Sequence, residues 1–266
     1  MKLNVLKQAS LPDALTAELA RRYHLVELTA LTDADFRALA GTFTVLITNG
    51  EATVTRELIA SLPALELIAV FGVGYDGVDV QAAAEHQVRV SHTPGVLTDD
   101  VADLALGLML ATSRQIVAAH KFIEAGEWAA GGFPWTQKVS GSRVGIVGMG
   151  RIGQAIARRC EGFAMQIAYH DRKRLPALNY AWREDLLTLA AESDFLVICT
   201  PGTAANQGLI NQPVLAALGE KGILINISRG SVIDEPALVA ALESGIIAGA
   251  GLDVFSHEPA VRSEER

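Results

Sequence analysis

VGIVGMGRIGQAIARRCEGFAMQIAYHD, residues 144–171, decides the fold. Residues 144–147 are apolar β-formers around Gly145, the composition of a strand buried on both faces of a parallel sheet. Gly148, Gly150 and Gly153 follow in the pattern G-x-G-x-x-G, and a helical period runs from 151 to about 163. A second apolar run, 166–169, ends in His170 and Asp171. Asp171 lies 18 residues beyond Gly153, close to the roughly 20 expected of a ribose-binding carboxylate.

Each glycine has a physical reason. Gly148 permits the tight strand-to-helix turn, Gly150 lets a pyrophosphate approach bare backbone, and Gly153 lets helix and strand pack closely. The helix start then presents unpaired N–H groups and a positive dipole end. The triplet alone is equally a tight turn without a ligand. Strand before, helix after and acid at the next strand end make it a dinucleotide-binding turn.

Outward from this stretch, 266 residues allow one large or two medium domains. Half are hydrophobic and a fifth charged, enough for a sizeable core. A net charge of −8 with no long basic run argues against nucleic acid. Cys160 and Cys199 fall in an expected helix and strand interior, as small core hydrophobes and not a disulfide or metal pair. The first residues lack the continuous apolar run of a secretory signal. The apolar helix over 101–110 carries Asp103 and is too short to span a bilayer. A soluble, cytoplasmic chain without membrane contact is expected.

Upstream, apolar runs at 3–6, 25–28, 43–48, 67–71 and 88–91 alternate with helical segments at 13–22, 33–39, 55–61 and 80–86. Such alternation means right-handed βαβ units and a parallel sheet. The loop FGVGYDG at 71–77 has three glycines at a strand's C-terminal end, which suits close approach of a ligand or an ordinary turn. Pro94 and Gly95 interrupt the pattern. A helix from Thr98, with Thr98, Asp99 and Asp100 as cap candidates, is predicted to run to about Glu124. Two domains are expected, 1–97 and 98–266, the helix over 98–124 linking them.

Downstream, strands are predicted at 166–169, 195–199, 223–226 and 248–252, with helices at 184–191, 212–218 and 235–244. The fold class is therefore α/β, with two Rossmann-like parallel sheets flanked by helices. Ligands in such sheets sit beyond the strands' carboxyl ends. Those loops carry Thr200-Pro201-Gly202, Ser228-Arg229-Gly230 and the stretch from Asp253 to Pro259. Arg229 can clamp a carboxylate and Glu258 can orient an imidazole; by position alone both read more readily as surface ion pairs. His257 adjoins Glu258, and neighbouring loop residues usually point apart. His92 and His120 read as structural hydrogen-bonders. No H-E-x-x-H or Cys/His cluster predicts a metal, and no G-x-S-x-G an acyl-transfer serine.

Six segments together resemble the D-isomer-specific 2-hydroxyacid dehydrogenases: VFGVGYDGVD (70–79), SHTPGVLTDDVADLALGLML (91–110), VGIVGMGRIGQAIARR (144–159), SDFLVICTPGT (193–203), LINISRGSVIDEPALVAAL (224–242) and AGAGLDVFSHEP (248–259). The glyoxylate, hydroxypyruvate and hydroxyphenylpyruvate reductases of the family are the most similar. The resemblance implies a substrate-binding and an NAD(P)-binding domain with the active site between them. It implies hydride transfer between NAD(P)H and C2 of a small 2-oxo acid. It makes Arg229 the catalytic arginine on substrate carboxylate and carbonyl oxygen, and Glu258 the partner of the catalytic histidine. Val73 and Gly74 become the backbone amides that hold the substrate carboxylate. Thr98, Gly148, Gly150, Arg151, Ile152, Gly153, Asp171, Arg172, Lys173, Thr200, Pro201 and Asp253 fall on the cofactor side. The loop around Trp135 would reach a second subunit of a homodimer.

Two points depart from a plain member of the family. Asp171 favours NAD(H), but Arg172, Lys173 and Arg174 follow at once and favour the 2′-phosphate of NADP(H). Three cations against one carboxylate, and the habit of the resembling reductases, tip the expectation to NADP(H). The family's histidine follows its glutamate by roughly two dozen residues, in a Pro-His pair. This sequence ends at Arg266 after the polar run 262–266. The expectation is a C-terminally truncated dehydrogenase without that histidine, its strand and the last helix, with slowed proton transfer. The alternative is a cofactor-binding protein with little or no turnover.

Overall fold

A computed structural model of the chain describes residues 2–258. The segment 259–261, the polar run 262–266 and the expectation of an early C-terminal end lie outside the described residues. Contacts divide the chain into two compact units, the first ending at Leu97 and the second beginning at Thr98.

The first unit alternates β1 (Asn4–Lys7), α1 (Asp13–Arg22), β2 (His24–Glu27), α2 (Asp33–Leu39), β3 (Phe43–Asn49), α3 (Arg56–Ala60), β4 (Leu67–Phe71), α4 (Val80–Glu85) and β5 (Arg89–Ser91). All five strands are parallel, in the order β2-β1-β3-β4-β5. Helices cover both faces, as a parallel sheet requires. Phe43, Leu46, Ile59 and Ile68 fill one side; Val5, Leu11 and Ile47 fill the other. Thr32, Thr55 and Asp79 cap their helices by accepting the N–H groups of Asp35, Leu58 and Ala82.

The second unit contains α5 (Thr98–Ser113), α6 (Ile116–Glu124), β6 (Arg143–Val147), α7 (Arg151–Glu161), β7 (Gln166–His170), β8 (Ala181–Trp182), α8 (Leu186–Ala191), β9 (Phe195–Ile198), α9 (Gln212–Leu218), β10 (Ile223–Asn226), α10 (Glu235–Glu243) and β11 (Gly249–Leu252). The order β11-β10-β9-β6-β7-β8 is all parallel. It reverses between β6 and β9, where an open α/β sheet forms its ligand crevice. One face is covered by α5 and α7, through Ala102, Ala105, Met109, Ala155 and Ile156. The other is covered by α8, α9 and α10, through Leu189, Leu215 and Leu238. Each fully buried aliphatic side chain there is worth about 1.5–3 kcal/mol.

Three expectations need correction. The helix predicted over 98–124 is two helices meeting at 52°. Gln115 takes a left-handed conformation at φ 49°, and Arg114 donates to Thr136 Oγ1 at 2.9 Å. No glycine or proline marks this break. A two-residue edge strand, β8, pairs with β7 inside a segment to which the sequence assigned no element. Cys199 lies one residue beyond β9, not inside a strand. Burial pushes the Cys160 thiol up to about 12 and raises that of Cys199, so neither is a thiolate at neutral pH.

Candidate functional site

The turn after β6 shows what each glycine does. Gly148 has φ 95°, and a Cβ there would stand 2.9 Å from the Thr200 amide nitrogen. The turn is thus pressed against the loop after β9, where the strand order reverses. A Cβ on Gly153 would stand 2.2 Å from the Gly148 carbonyl oxygen, so α7 seats on the turn only without one. At Gly150 a Cβ would meet nothing within 4 Å. Two glycines therefore serve packing, and the third leaves an open backbone face.

That face opens onto the start of α7. The later helices are closed by the side chains of Asp185, Asn211 and Asp234, whereas α7 starts on Gly150 with no side-chain cap. Arg151 is exposed and Ile152 half-buried in its first turn. Bare first-turn N–H groups with the positive end of the dipole form a cradle for a phosphate. These residues fit the diphosphate of a dinucleotide.

Asp171, just past β7, seats its carboxylate on this turn. Oδ2 accepts from Met149 N at 2.9 Å and Oδ1 from Arg172 N at 2.7 Å. Each oxygen has capacity for a further donor such as a ribose hydroxyl. Arg172, Lys173 and Arg174 are exposed beyond it, and no acid pairs with them among the described residues. Thr98 opens α5, whose Asp99 and Asp103 bind Arg159 of α7 at 3.0 and 2.6 Å. Asp99 thus serves as an ion-pair partner between helices.

The loops after β9 and β10 meet around Arg229. Asn206 donates to Thr200 Oγ1 at 2.9 Å and to Pro201 O at 2.8 Å, closing the first loop. In the second, the fully buried Asn226 donates to Arg229 O at 3.0 Å. Its Oδ1 accepts from Ser228 N and Oγ at 3.1 and 3.0 Å. Arg229 itself is half-buried, with Nη1 donating to Ser228 O at 2.7 Å. Its stem passes over Gly202, where a Cβ would lie 2.7 Å from the Arg229 Cγ.

The loop after β11 docks on this pair. A Cβ on Gly230 would meet the Phe255 carbonyl carbon at 2.0 Å. Glu235, buried in the first turn of α10, accepts from Ser256 N. Glu258 Oε1 accepts from Phe255 N at 2.7 Å and closes the turn. Burial, and then the charge of Glu258, hold the Asp253 carboxyl above its ordinary value. Arg229 and Glu258 thus sit on adjacent loops that touch through Gly230.

In the first unit, Val73 and Gly74 lie in the loop after β4. The glycines around them are used by the protein itself. A Cβ on Gly77 would stand 2.4 Å from Ala52 O, and one on Gly72 would stand 3.4 Å from Gly50 N. Val73 and Gly74 donate no backbone hydrogen bond among the described residues. His92 Nδ1 lies 2.9 Å from Val73 O, and Thr93 N donates to Gly72 O at 2.9 Å.

Asn226, Asn206 and Glu235 escaped the sequence, and Gly202 was read only as part of its loop. Only Asn226 left a signal there, a polar residue closing an otherwise apolar strand.

Residues 106–265 match the family described as D-isomer specific 2-hydroxyacid dehydrogenase, NAD binding domain. The chain is 46% identical over 261 residues to a hydroxyphenylpyruvate reductase of Plectranthus scutellarioides, covering 97% of this chain and 83% of the relative. It is 39% identical over 264 residues to glyoxylate/hydroxypyruvate reductase A of Arabidopsis thaliana, covering 98% and 84%. Among solved structures, an NADPH-dependent glyoxylate/hydroxypyruvate reductase from Sinorhizobium meliloti, in complex with NADP and malonate, matches with a TM-score of 0.91 at 40% identity. That match covers 99% of this chain and 83% of the other.

Proposed function

The chain belongs to the D-isomer-specific 2-hydroxyacid dehydrogenase family, and from that premise we propose that it reduces a small 2-oxo acid of the glyoxylate or hydroxypyruvate kind to the corresponding 2-hydroxy acid, of D configuration where C2 becomes a stereocentre. The observation that carries this reading is the pairing of two features at the carboxyl edge of one sheet. One is the open backbone at Gly150; the other is the Arg229 seat built by Gly202 and Asn226.

Gly148, Gly150, Arg151, Ile152 and Gly153 would hold a reduced nicotinamide dinucleotide, which when bound would supply a hydride equivalent. Thr98, Thr200, Pro201 and Asp253 flank the same ligand. Arg229 holds the substrate carboxylate through its planar fork and stabilises negative charge on the carbonyl oxygen. Val73 and Gly74 supply amide donors to the carboxylate. Glu258 presents a carboxylate able to orient and charge-stabilise an imidazole beside the substrate, a part that no histidine among the described residues is assigned.

NADP(H) is the preferred cofactor. Three exposed cations at 172–174, unpaired with any acid among the described residues, stand beside the single Asp171 carboxylate and suit a 2′-phosphate. The working form is a homodimer. Ile116, Val117, Ile123, Trp128 and Trp135 all leave large apolar side chains exposed along α6 and the following loop, the kind of surface that a second subunit covers.

Fluorescence titration with NADPH and NADH, followed by steady-state assay with glyoxylate and hydroxypyruvate, tests this. NADPH binds more tightly and both acids are turned over. Much tighter NADH binding overturns the cofactor choice, and failure to bind either cofactor overturns the function.

A further inference from the structure

We propose that His92 is a positioning residue that aims the Gly74 amide at the substrate carboxylate. The inference rests on the proposed role of Val73 and Gly74 and adds how their amides are held.

In a planar trans peptide the carbonyl oxygen and the following N–H point in opposite directions. Gly72 O shares its peptide plane with Val73 N, and Val73 O shares its plane with Gly74 N. Both oxygens are gripped from the segment just after β5. Thr93 N donates to Gly72 O at 2.9 Å, extending the pairing of β4 with β5. The next oxygen, Val73 O, accepts from no backbone N–H among the described residues and is met by the His92 ring, with Nδ1 at 2.9 Å. A carbonyl oxygen only accepts, so the tautomer with the proton on Nδ1 is assigned by its partner.

With both oxygens tied to the β5 side, both N–H groups are turned to the other side. Neither donates a hydrogen bond to any described residue. Two adjacent amides, aligned and unspent, suit the two oxygens of a carboxylate. On its far side the loop lies so close to Ala52 that a Cβ on Gly77 would stand 2.4 Å from the Ala52 carbonyl oxygen, which limits how far it can shift. The His92 ring is braced in turn. Tyr75 stands edge-on to it, with centroids 4.9 Å apart and planes at 68°. One peptide is thus oriented by a backbone donor, which only a proline substitution removes, and the other by a single replaceable side chain.

The difference between the two amides supplies the test. The full chain is labelled with ¹⁵N, saturated with NADPH and titrated with oxalate, a planar carboxylate probe for a 2-oxo acid. In the wild type the Val73 and Gly74 amide signals both move. In His92→Leu the Gly74 response is lost and the Val73 response persists, with oxalate affinity down about 3- to 10-fold and NADPH affinity unchanged. His92→Asn places an N–H donor on the same γ-branch and restores the Gly74 response. Thermal melts of both variants keep a misfolded protein from being read as a positioning defect. If Gly74 responds equally in wild type and a folded His92→Leu, the positioning role is wrong and the site assignment stands. An asparagine variant as deficient as leucine also overturns the role. If neither amide moves in the wild type, the assignment of Val73 and Gly74 fails, and the role of His92 with it.

Discussion

Gly202 and Arg229 make a contact that only a residue without a side chain permits. A Cβ on Gly202 would stand 2.7 Å from Cγ and 3.0 Å from Cβ of Arg229. Those atoms are the base of the arginine stem, which cannot yield without moving the guanidinium. Gly202→Ala is therefore expected to lower kcat/KM for glyoxylate by about 10- to 100-fold with little change in Tm. A variant with unaltered kinetics would show that Arg229 is not held by this contact.

The three glycines of the turn after β6 separate into two experimental classes. Gly153→Ala drives a methyl group into the Gly148 carbonyl oxygen, a backbone atom that cannot give way, and costs about 1–3 kcal/mol of stability. Gly150→Ala meets no protein atom, so Tm holds while the dissociation constant for NADPH rises. Equal behaviour of the two variants, in melting and in cofactor titration, would contradict this division.

The alternation of apolar runs and helical periods placed nearly every strand of both sheets, because parallel strands are buried on both faces and read as continuous hydrophobic runs. The glycine spacing was legible for the same kind of reason, since each position answers a local steric demand. What stayed hidden depends on contacts between loops distant in sequence. Gly202 gains its meaning from Arg229, and Gly230 from Phe255. Glu235 faces Ser256 from 21 residues away. The break at Gln115 was invisible because its left-handed backbone carries no glycine, asparagine or proline. His92 was legible as a structural hydrogen-bonder, but its partner, the Val73 carbonyl, was not.

Glu235 is expected to control the loop that bears Asp253 and Glu258. Its buried carboxylate takes the Ser256 N–H, and Glu235→Ala leaves that donor without an acceptor. Hydrogen exchange across 253–258 should quicken and kcat should fall, with a milder effect for Glu235→Gln, which keeps an oxygen in place. Unchanged exchange in the alanine variant would contradict the role.

The acid limb of stability should carry the signature of Asp194. Its carboxyl is held below the ordinary carboxylate value, first by the Arg143 side-chain hydrogen bond, with Arg143 Nη2 at 2.7 Å and Arg143 N at 2.8 Å. A depressed folded-state pKa means stability that is fully present above the ordinary carboxylate value, about 4, and lost as pH falls through the depressed value. Asp194→Asn should therefore lower Tm by about 2–6 °C at pH 7, and the gap to wild type should close below pH of about 4. A gap that stays constant through the acid range would show that the pair contributes nothing through charge.

The chemistry itself is read most directly from the product. Hydroxypyruvate and NADPH are incubated with the protein, and D- and L-glycerate are quantified against cofactor oxidised. The account predicts one D-glycerate per cofactor oxidised, and a loss of at least about 100-fold in Arg229→Gln with cofactor affinity retained. A protein that binds NADPH yet forms no glycerate, or forms the L-isomer, or works equally well without Arg229, would contradict it.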